Sequence, residues 1–284
     1  MKITAFCPGH ITGFFVPKKH HDDPLKSGSL GAGICVDKGA ITTVTITEGK
    51  KNIESLVNGQ PAPVTQTALD ILLGDREYTI KSTTELQLPC GSGFGTSAAG
   101  ALSATIALSS ALSLTKESAI QAAHLAEITH NTGLGDVAAI SKCGITYRVK
   151  EGVMPHGQIK QITGSPTITA CVLAGQLSTA NILTDPDLTK LITSAGEKCV
   201  EEMAINPTLD NLFKLSKKFT EESKLASAEV KNVLQMMKDI PSSMIMLGNS
   251  VFALGNQSEK LAPFGQVFVL NTDLQGPRVV TQRV

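Results

Sequence analysis

The chain has 284 residues, with 25 Lys plus Arg against 25 Asp plus Glu, so its formal net charge is zero. That excludes a global positive field for holding nucleic acid or an anionic membrane surface, and an anion site has to be built from backbone amides instead. Hydrophobic residues at 42 % suffice for a sizeable core, and a charged fraction of 18 %, against about 25 % in ordinary domains, argues against a hyperthermophile.

In chain order, MKITAFCPGH has no apolar core of signal-peptide length. A short strand is expected over Lys2–Phe6, followed by a loop rich in turn residues that carries His20, His21, Asp22 and Asp23 near its tip. The β-branched run Ile41–Thr47 reads as a strand, and Tyr78–Leu88 as one or two more. PCGSGFGTSAAG, Pro89 to Gly100, leads into a helix reaching about Ser113. Its apolar stretch, Ala98–Leu114, is rich in Ala, Ser and Gly and reads as a buried helix, since it falls short of the roughly 18 uncharged apolar residues of a membrane span. Thr115 caps the next helix, with Glu117 near its positive end. This helix runs to about His130 and breaks at Thr132-Gly133. A β-rich stretch, Gly144–Ile162, closes the first half.

Gly164-Ser165-Pro166 is the best linker, so two parts are expected, residues 1–163 and 164–284. The second part opens with a strand, Thr167–Leu173. Asp185-Pro186 starts a helical region, with helices over about 187–203, 209–225 and 227–237, and Met244–Leu247 and Val267–Leu270 read as strands. The pattern is α+β in both parts. The six cysteines, Cys7, Cys35, Cys90, Cys143, Cys171 and Cys199, include no C-x-x-C pair, which suits reduced thiols in a cytoplasmic protein.

Gly91, Gly93 and Gly95 alternate just ahead of a helix start at Thr96-Ser97. Glycines let the backbone approach a ligand, and a helix start offers unpaired N–H groups and a positive dipole end, which together make a phosphate site without net charge. The P-loop pattern fails because no Lys follows Gly95. The dinucleotide pattern fails because Thr96 stands where its third glycine belongs. A plain glycine-rich turn before a core helix is the alternative.

The segment resembles the central motif of the GHMP kinases, P-x-x-x-G-L-G-S-S-A-A, with Phe94 for the usual Leu and Thr96 for the first Ser. The resemblance implies an α+β GHMP kinase fold, with an N-terminal half like the second domain of ribosomal protein S5 and a ferredoxin-like C-terminal half. It implies ATP and magnesium as cofactors, with Gly91, Ser92, Gly93, Phe94, Gly95, Thr96 and Ser97 around the phosphates and Ser97 helping to hold the metal. Thr132-Gly133-Leu134-Gly135-Asp136 is the nearest counterpart of the family's S-G-x-D, with one extra residue. Asp136 is then the base or the charge that orients the alcohol, with a plain helix N-cap as the alternative. Glu127, nine residues earlier, is the second metal candidate, with a solvated helix face as its alternative. His124, Glu127 and His130 form H-x-x-E-x-x-H, but two His six apart point about 120° away from each other on a straight helix, which speaks against zinc.

Pro8-Gly9-His10 matches the family's opening P-G-K/R, so His10 stands where many members carry a cation, and no permanent positive charge is expected there to hold Asp136 ionised. PGHITGFF, GSLGAG (Gly28 to Gly33), HNTGLGDVAA and MLGNSVFA together look like the archaeal pantoate kinases. The substrate is then pantoate, phosphorylated at its primary alcohol, with His10, Ser29 and His130 as substrate candidates and GSLGAG as a turn whose amides or hydroxyl cradle a carboxylate. The expected partners are ATP and pantoate, without nucleic acid or membrane, and a homodimer is allowed for. The alternatives are a homoserine or mevalonate type of GHMP kinase and a non-catalytic nucleotide-binding protein on the same fold.

Overall fold

The computed structural model describes residues 1–174 and 186–283; Asp185 of the expected Asp-Pro helix start lies outside them. The strands are β1 (Lys2–Lys18), β2 (Gly28–Glu48), β3 (Asn52–Val57), β4 (Gln60–Pro61), β5 (Tyr78–Leu86), β6 (Ile145–Lys150), β7 (Gln158–Ile162), β8 (Thr167–Val172), β9 (Ser242–Met244), β10 (Ser250–Leu254), β11 (Gln266–Asn271) and β12 (Arg278–Arg283). The helices are α1 (Pro63–Leu73), α2 (Thr96–Ala111), α3 (Lys116–His130), α4 (Asp136–Lys142), α5 (Pro186–Ile205), α6 (Leu209–Ser223), α7 (Ala228–Met236) and α8 (Ser258–Leu261). None of the described helices is long and apolar enough to cross a membrane.

One sheet has the order β12-β1-β2-β5-β3-β4, with β6 also pairing β2 and β7 pairing β6; the other has the order β11-β8-β10-β9. The first differs from the sequence reading at its centre. Where a short strand and a loop were expected, β1 runs for 17 residues, and where a tight turn was expected at GSLGAG, β2 begins at Gly28 and runs for 21. Pro8, Gly9, Gly13 and the glycines of GSLGAG look like turn residues in one dimension. In space Pro8/Gly9 and Thr12/Phe14 mark irregularities in the β1–β2 register that let the long hairpin bend without ending.

That bend lets β1 serve two cores. Ile3 and Ala5 pack with Val44, Leu69, Leu102 and Ala123 beneath α1, α2 and α3, while Phe14 and Phe15 pack with Leu212, Phe219 and Phe252 of the later residues. The Phe15 and Phe219 rings pack tilted against each other, with centroids 5.7 Å apart. Helix α2 is buried almost throughout, which its small residues permit: Ser103 Oγ lies 2.5 Å from Thr42 Oγ1, joining helix to sheet through hydroxyls rather than apolar bulk. Thr115 Oγ1 accepts from Ser118 N and so caps α3 as expected.

Candidate active site

The glycine-rich segment forms the wall of a cleft that both sheets approach. Gly93 and Gly95 have φ of +87° and +60°, left-handed values that favour glycine, and Gly95 is the residue from which α2 starts. The helix therefore opens onto the cleft with the first-turn amides of Thr96, Ser97 and Ala98 at its lip. Phe94 anchors the loop from behind. Its side chain is buried in the second core, edge-on to Phe268 at 6.2 Å, so only its backbone is available to a ligand. Ser92 is also turned away, and its carbonyl accepts from Ser250 Oγ. The Leu247-Gly248-Asn249-Ser250 segment packs against the loop so closely that a Cβ on Gly248 would meet Ser92 carbonyl atoms at 2.2 Å.

The residues from the end of α3 to the start of α4 form the facing wall. Ser97 Oγ donates to Glu127 Oε1 at 2.5 Å, and Thr132 Oγ1 donates to the same oxygen at 2.8 Å. Glu127 is buried, so the solvated-face alternative does not hold. Burial pushes its carboxyl up to about 7, against the lowering pull of the two hydroxyls and with a further upward push from Asp136. Glu127 Oε2 and Asp136 Oδ2 both lie within 4 Å of the point where a Gly133 Cβ would sit. The two carboxyl groups thus meet across a glycine.

Asp136 is the first residue of α4, behind Gly135 at the cap position, and its side chain makes no cap. It turns instead to β1: Oδ1 lies 2.8 Å from His10 Nδ1 and accepts from Thr12 Oγ1 at 3.5 Å. Burial alone would raise this carboxyl. The His10 hydrogen bond and the nearby charge of Arg148 outweigh that and hold it below the ordinary carboxylate value. His10 is fully buried and its imidazole is pushed down by desolvation, against the opposing pull of Asp136. It is therefore neutral near pH 7, with Nδ1–H donating to an ionised Asp136.

The expectation of no permanent cation beside Asp136 is corrected by Arg148. This residue of β6 is buried, lines the cleft, and donates from Nε to the Ser29 carbonyl at 3.1 Å. Its charge supplies from another strand what His10 does not supply from β1. Nothing in ITYRVK sets this arginine apart in the sequence, since an Arg at alternate positions of a strand ordinarily faces water. Thr12 was missed as an ordinary strand threonine, and Thr132, read only as the Thr of the S-G-x-D counterpart, was not read as a partner of Glu127.

Of the remaining candidates, Ser29 lines the cleft, on a strand rather than a turn. His130 is not among the cleft residues; its Nε2 lies 2.8 Å from Thr67 Oγ1 of α1. His124 is buried and donates from Nε2 to the Ser27 carbonyl at 2.9 Å. Among the described residues no group of three or more His, Cys, Asp or Glu gathers in a metal-binding cluster. Ser97 and Glu127 offer hard oxygen donors, which fit a magnesium ion that takes most of its ligands from phosphates and water. The raised value of Glu127 fits too, since a cation there would neutralise the buried carboxylate.

A glycine-rich loop opening a buried helix, beside an acidic pair and a buried arginine, places the chain among the small-molecule kinases. Residues 64–144 match the family model of the GHMP kinases N terminal domain. The chain is 34 % identical to a pantoate kinase of Methanospirillum hungatei, with 98 % of this chain and 96 % of that protein covered. It is 36 % identical to a pantoate kinase of Thermococcus kodakarensis, over 91 % of this chain and 89 % of that one. A solved structure described as a phosphotransferase related to the CoA biosynthesis pathway superposes with a TM-score of 0.88 at 33 % identity, covering 99 % of both chains. The chain belongs to the pantoate kinase family of GHMP kinases.

Proposed function

We propose that the protein transfers the γ-phosphate of ATP to the primary alcohol of pantoate, giving 4-phosphopantoate and ADP on the way to coenzyme A. The observation that carries this reading is the juxtaposition of Asp136 with Arg148: an ionised carboxylate at the cleft beside a buried guanidinium suits a substrate that is an alcohol at one end and a carboxylate at the other.

The geometry supports a role for each residue. The first-turn amides of α2 neutralise phosphate oxygens. Ser97 and Glu127 hold magnesium, which when bound offsets the charge of the phosphates. Arg148, with Ser29 beside it, takes the pantoate carboxylate. His10 and Thr12 occupy Asp136 Oδ1, which leaves Oδ2 to take the alcohol proton. The alcohol oxygen then bonds to the γ-phosphorus as its bond to the bridging oxygen breaks, and ADP departs with that electron pair. Phosphoryl transfer asks the protein mainly for positioning and charge, and these residues provide both. All six cysteines are free thiols, which suits a reducing compartment such as the cytoplasm.

The test is to incubate the purified protein with MgATP and pantoate and identify the product by phosphorus NMR and mass spectrometry. A phosphate ester on the primary alcohol, formed one for one with ADP, supports the reading. ADP formed at the same rate without pantoate overturns it.

A further inference from the structure

The proposed roles use the polar groups of the cleft and leave its apolar side chains without one. Among the described residues five large apolar ones line it: Phe15, Phe94, Leu134, Met246 and Leu247. Phe15, Phe94 and Met246 are 5 %, 1 % and 3 % exposed and belong to the second core, so they keep almost no surface for a ligand. Leu134 and Leu247 are half-buried. Leu247 packs against the second core and sits at the glycine loop: a Cβ on Gly93 would lie 3.0 Å from Met246 O and 3.1 Å from Gly248 N, the backbone atoms on either side of it. Leu134 is a member of neither core.

The glycines on either side fix where Leu134 stands. A Cβ on Gly133 would lie 2.4 Å from Glu127 Oε2 and 3.7 Å from Asp136 Oδ2. One on Gly135 would lie 2.2 Å from Ser29 Oγ and 2.9 Å from Arg148 Nε. The backbone therefore touches the acidic pair at one glycine and the Ser29–Arg148 pair at the other, two residue steps or at most about 7 Å apart. Leu134 is the residue between them. Its carbonyl oxygen would be 3.3 Å from a Cβ on Gly28, so this backbone is also seated closely beside the start of β2. A half-buried leucine outside either core, set between an acidic group and a basic one, gains stability when a ligand covers it with apolar surface.

Pantoate has that pattern of chemistry. It is a four-carbon chain with a primary alcohol at one end and a carboxylate at the other, and the carbon next to the alcohol-bearing one carries two methyl groups. We propose that Leu134 is a specificity-determining residue for the transfer, its side chain covering these methyl groups when the alcohol lies at Asp136 and the carboxylate at Arg148. The role rests on the reading of pantoate as the acceptor. A short hydroxy acid without the methyl groups makes the same polar contacts but leaves Leu134 uncovered, and one methylene in an apolar pocket is worth about 10-fold to 200-fold in kcat/KM.

The experiment is steady-state kinetics of the full chain with saturating MgATP, for the wild type, Leu134→Ala and Leu134→Met. Pantoate is compared with 2,4-dihydroxybutanoate, which is pantoate without its two methyl groups. The wild type is expected to favour pantoate by about a hundredfold in kcat/KM. Leu134→Ala should lower that ratio about tenfold, because the loss falls mainly on pantoate. Leu134→Met keeps the apolar bulk and should hold the ratio within about threefold of the wild type. Equal losses on both substrates in Leu134→Ala would show a structural role only and overturn the proposal, as would a wild-type ratio near one. Should Leu134→Ala not fold, Leu134→Val takes the same measurement under the same criteria. A wild type that forms no phosphate ester from pantoate overturns the acceptor reading and this role with it, whereas an ester formed with an unchanged ratio in Leu134→Ala overturns this role alone.

Discussion

Ser97 Oγ and Glu127 Oε1 are 2.5 Å apart, joining the first turn of α2 to the last turn of α3. The bond ties a hydroxyl at the start of α2 to the buried carboxyl of the facing wall, the two groups proposed to hold magnesium. Ser97→Ala and Glu127→Gln should therefore both raise the magnesium concentration needed for activity. Ser97→Ala should also weaken ATP binding if the first turn of α2 takes the phosphates as proposed. Magnesium titrations of the initial rate check this, and an unchanged magnesium dependence in Glu127→Gln would remove Glu127 from the metal site.

Glu127 also sets a pH dependence of stability. Its carboxyl titrates at about 7 in the fold, against 4.5 for an ordinary glutamate. The native state therefore binds this proton more tightly, and the stability it contributes is full below about 4.5 and lost as the pH rises through 7. The difference is of the order of 3 kcal/mol. Thermal melts of magnesium-free protein at pH 5 and pH 8 should show a larger loss of Tm for the wild type than for Glu127→Gln, whose side chain cannot ionise. The same pH dependence in both proteins would show that Glu127 is ionised in the native state throughout.

Asp136→Asn keeps the size of the side chain and removes the proton acceptor. A lost general base costs about 10² to 10⁴ in rate, and kcat should fall within that range. ATP affinity should change far less than kcat, since the Asp136 carboxyl, although it packs beside Gly95 at the start of α2, is hydrogen-bonded to His10 and Thr12. Rates near those of the wild type would leave Asp136 without a chemical role.

Gly135→Ala tests the acceptor side without touching a charge. A Cβ there would stand 2.2 Å from Ser29 Oγ and 2.9 Å from Arg148 Nε, so both side chains must move. The expected result is a KM for pantoate raised by about tenfold or more, with the KM for ATP little changed, because misplacement by about 1 Å is costly at a site built for orientation. An unaltered KM for pantoate would place the carboxylate away from Ser29 and Arg148.

The glycine loop, α2, α3 and the acidic segment were legible because their signals are local: glycines before a helix start, a Thr cap, an Asp at the head of a short helix. The long hairpin was not, because Pro8, Gly9 and the GSLGAG glycines serve register irregularities and close strand contacts that look like turns in one dimension. Helix α1 and strands β10 and β12 also went unread. β12 is defined by pairing with β1 at the other end of the chain, a contact that no local pattern announces. Arg148 shows the limit most clearly. Its place beside Asp136 comes from β6 pairing with β2, so its chemistry belongs to the sheet rather than to its neighbours in sequence.

The most direct test is kcat/KM measured side by side for pantoate, homoserine and mevalonate with saturating MgATP. A cleft that pairs Arg148 with a carboxylate and Asp136 with a primary alcohol favours pantoate. Homoserine brings an ammonium group into the field of Arg148, and mevalonate sets its carboxylate and primary alcohol further apart. Sites built around a charged or hydrogen-bonding group discriminate strongly, and pantoate should lead by about a hundredfold or more. A kcat/KM for homoserine or mevalonate equal to or above that for pantoate would contradict the assignment.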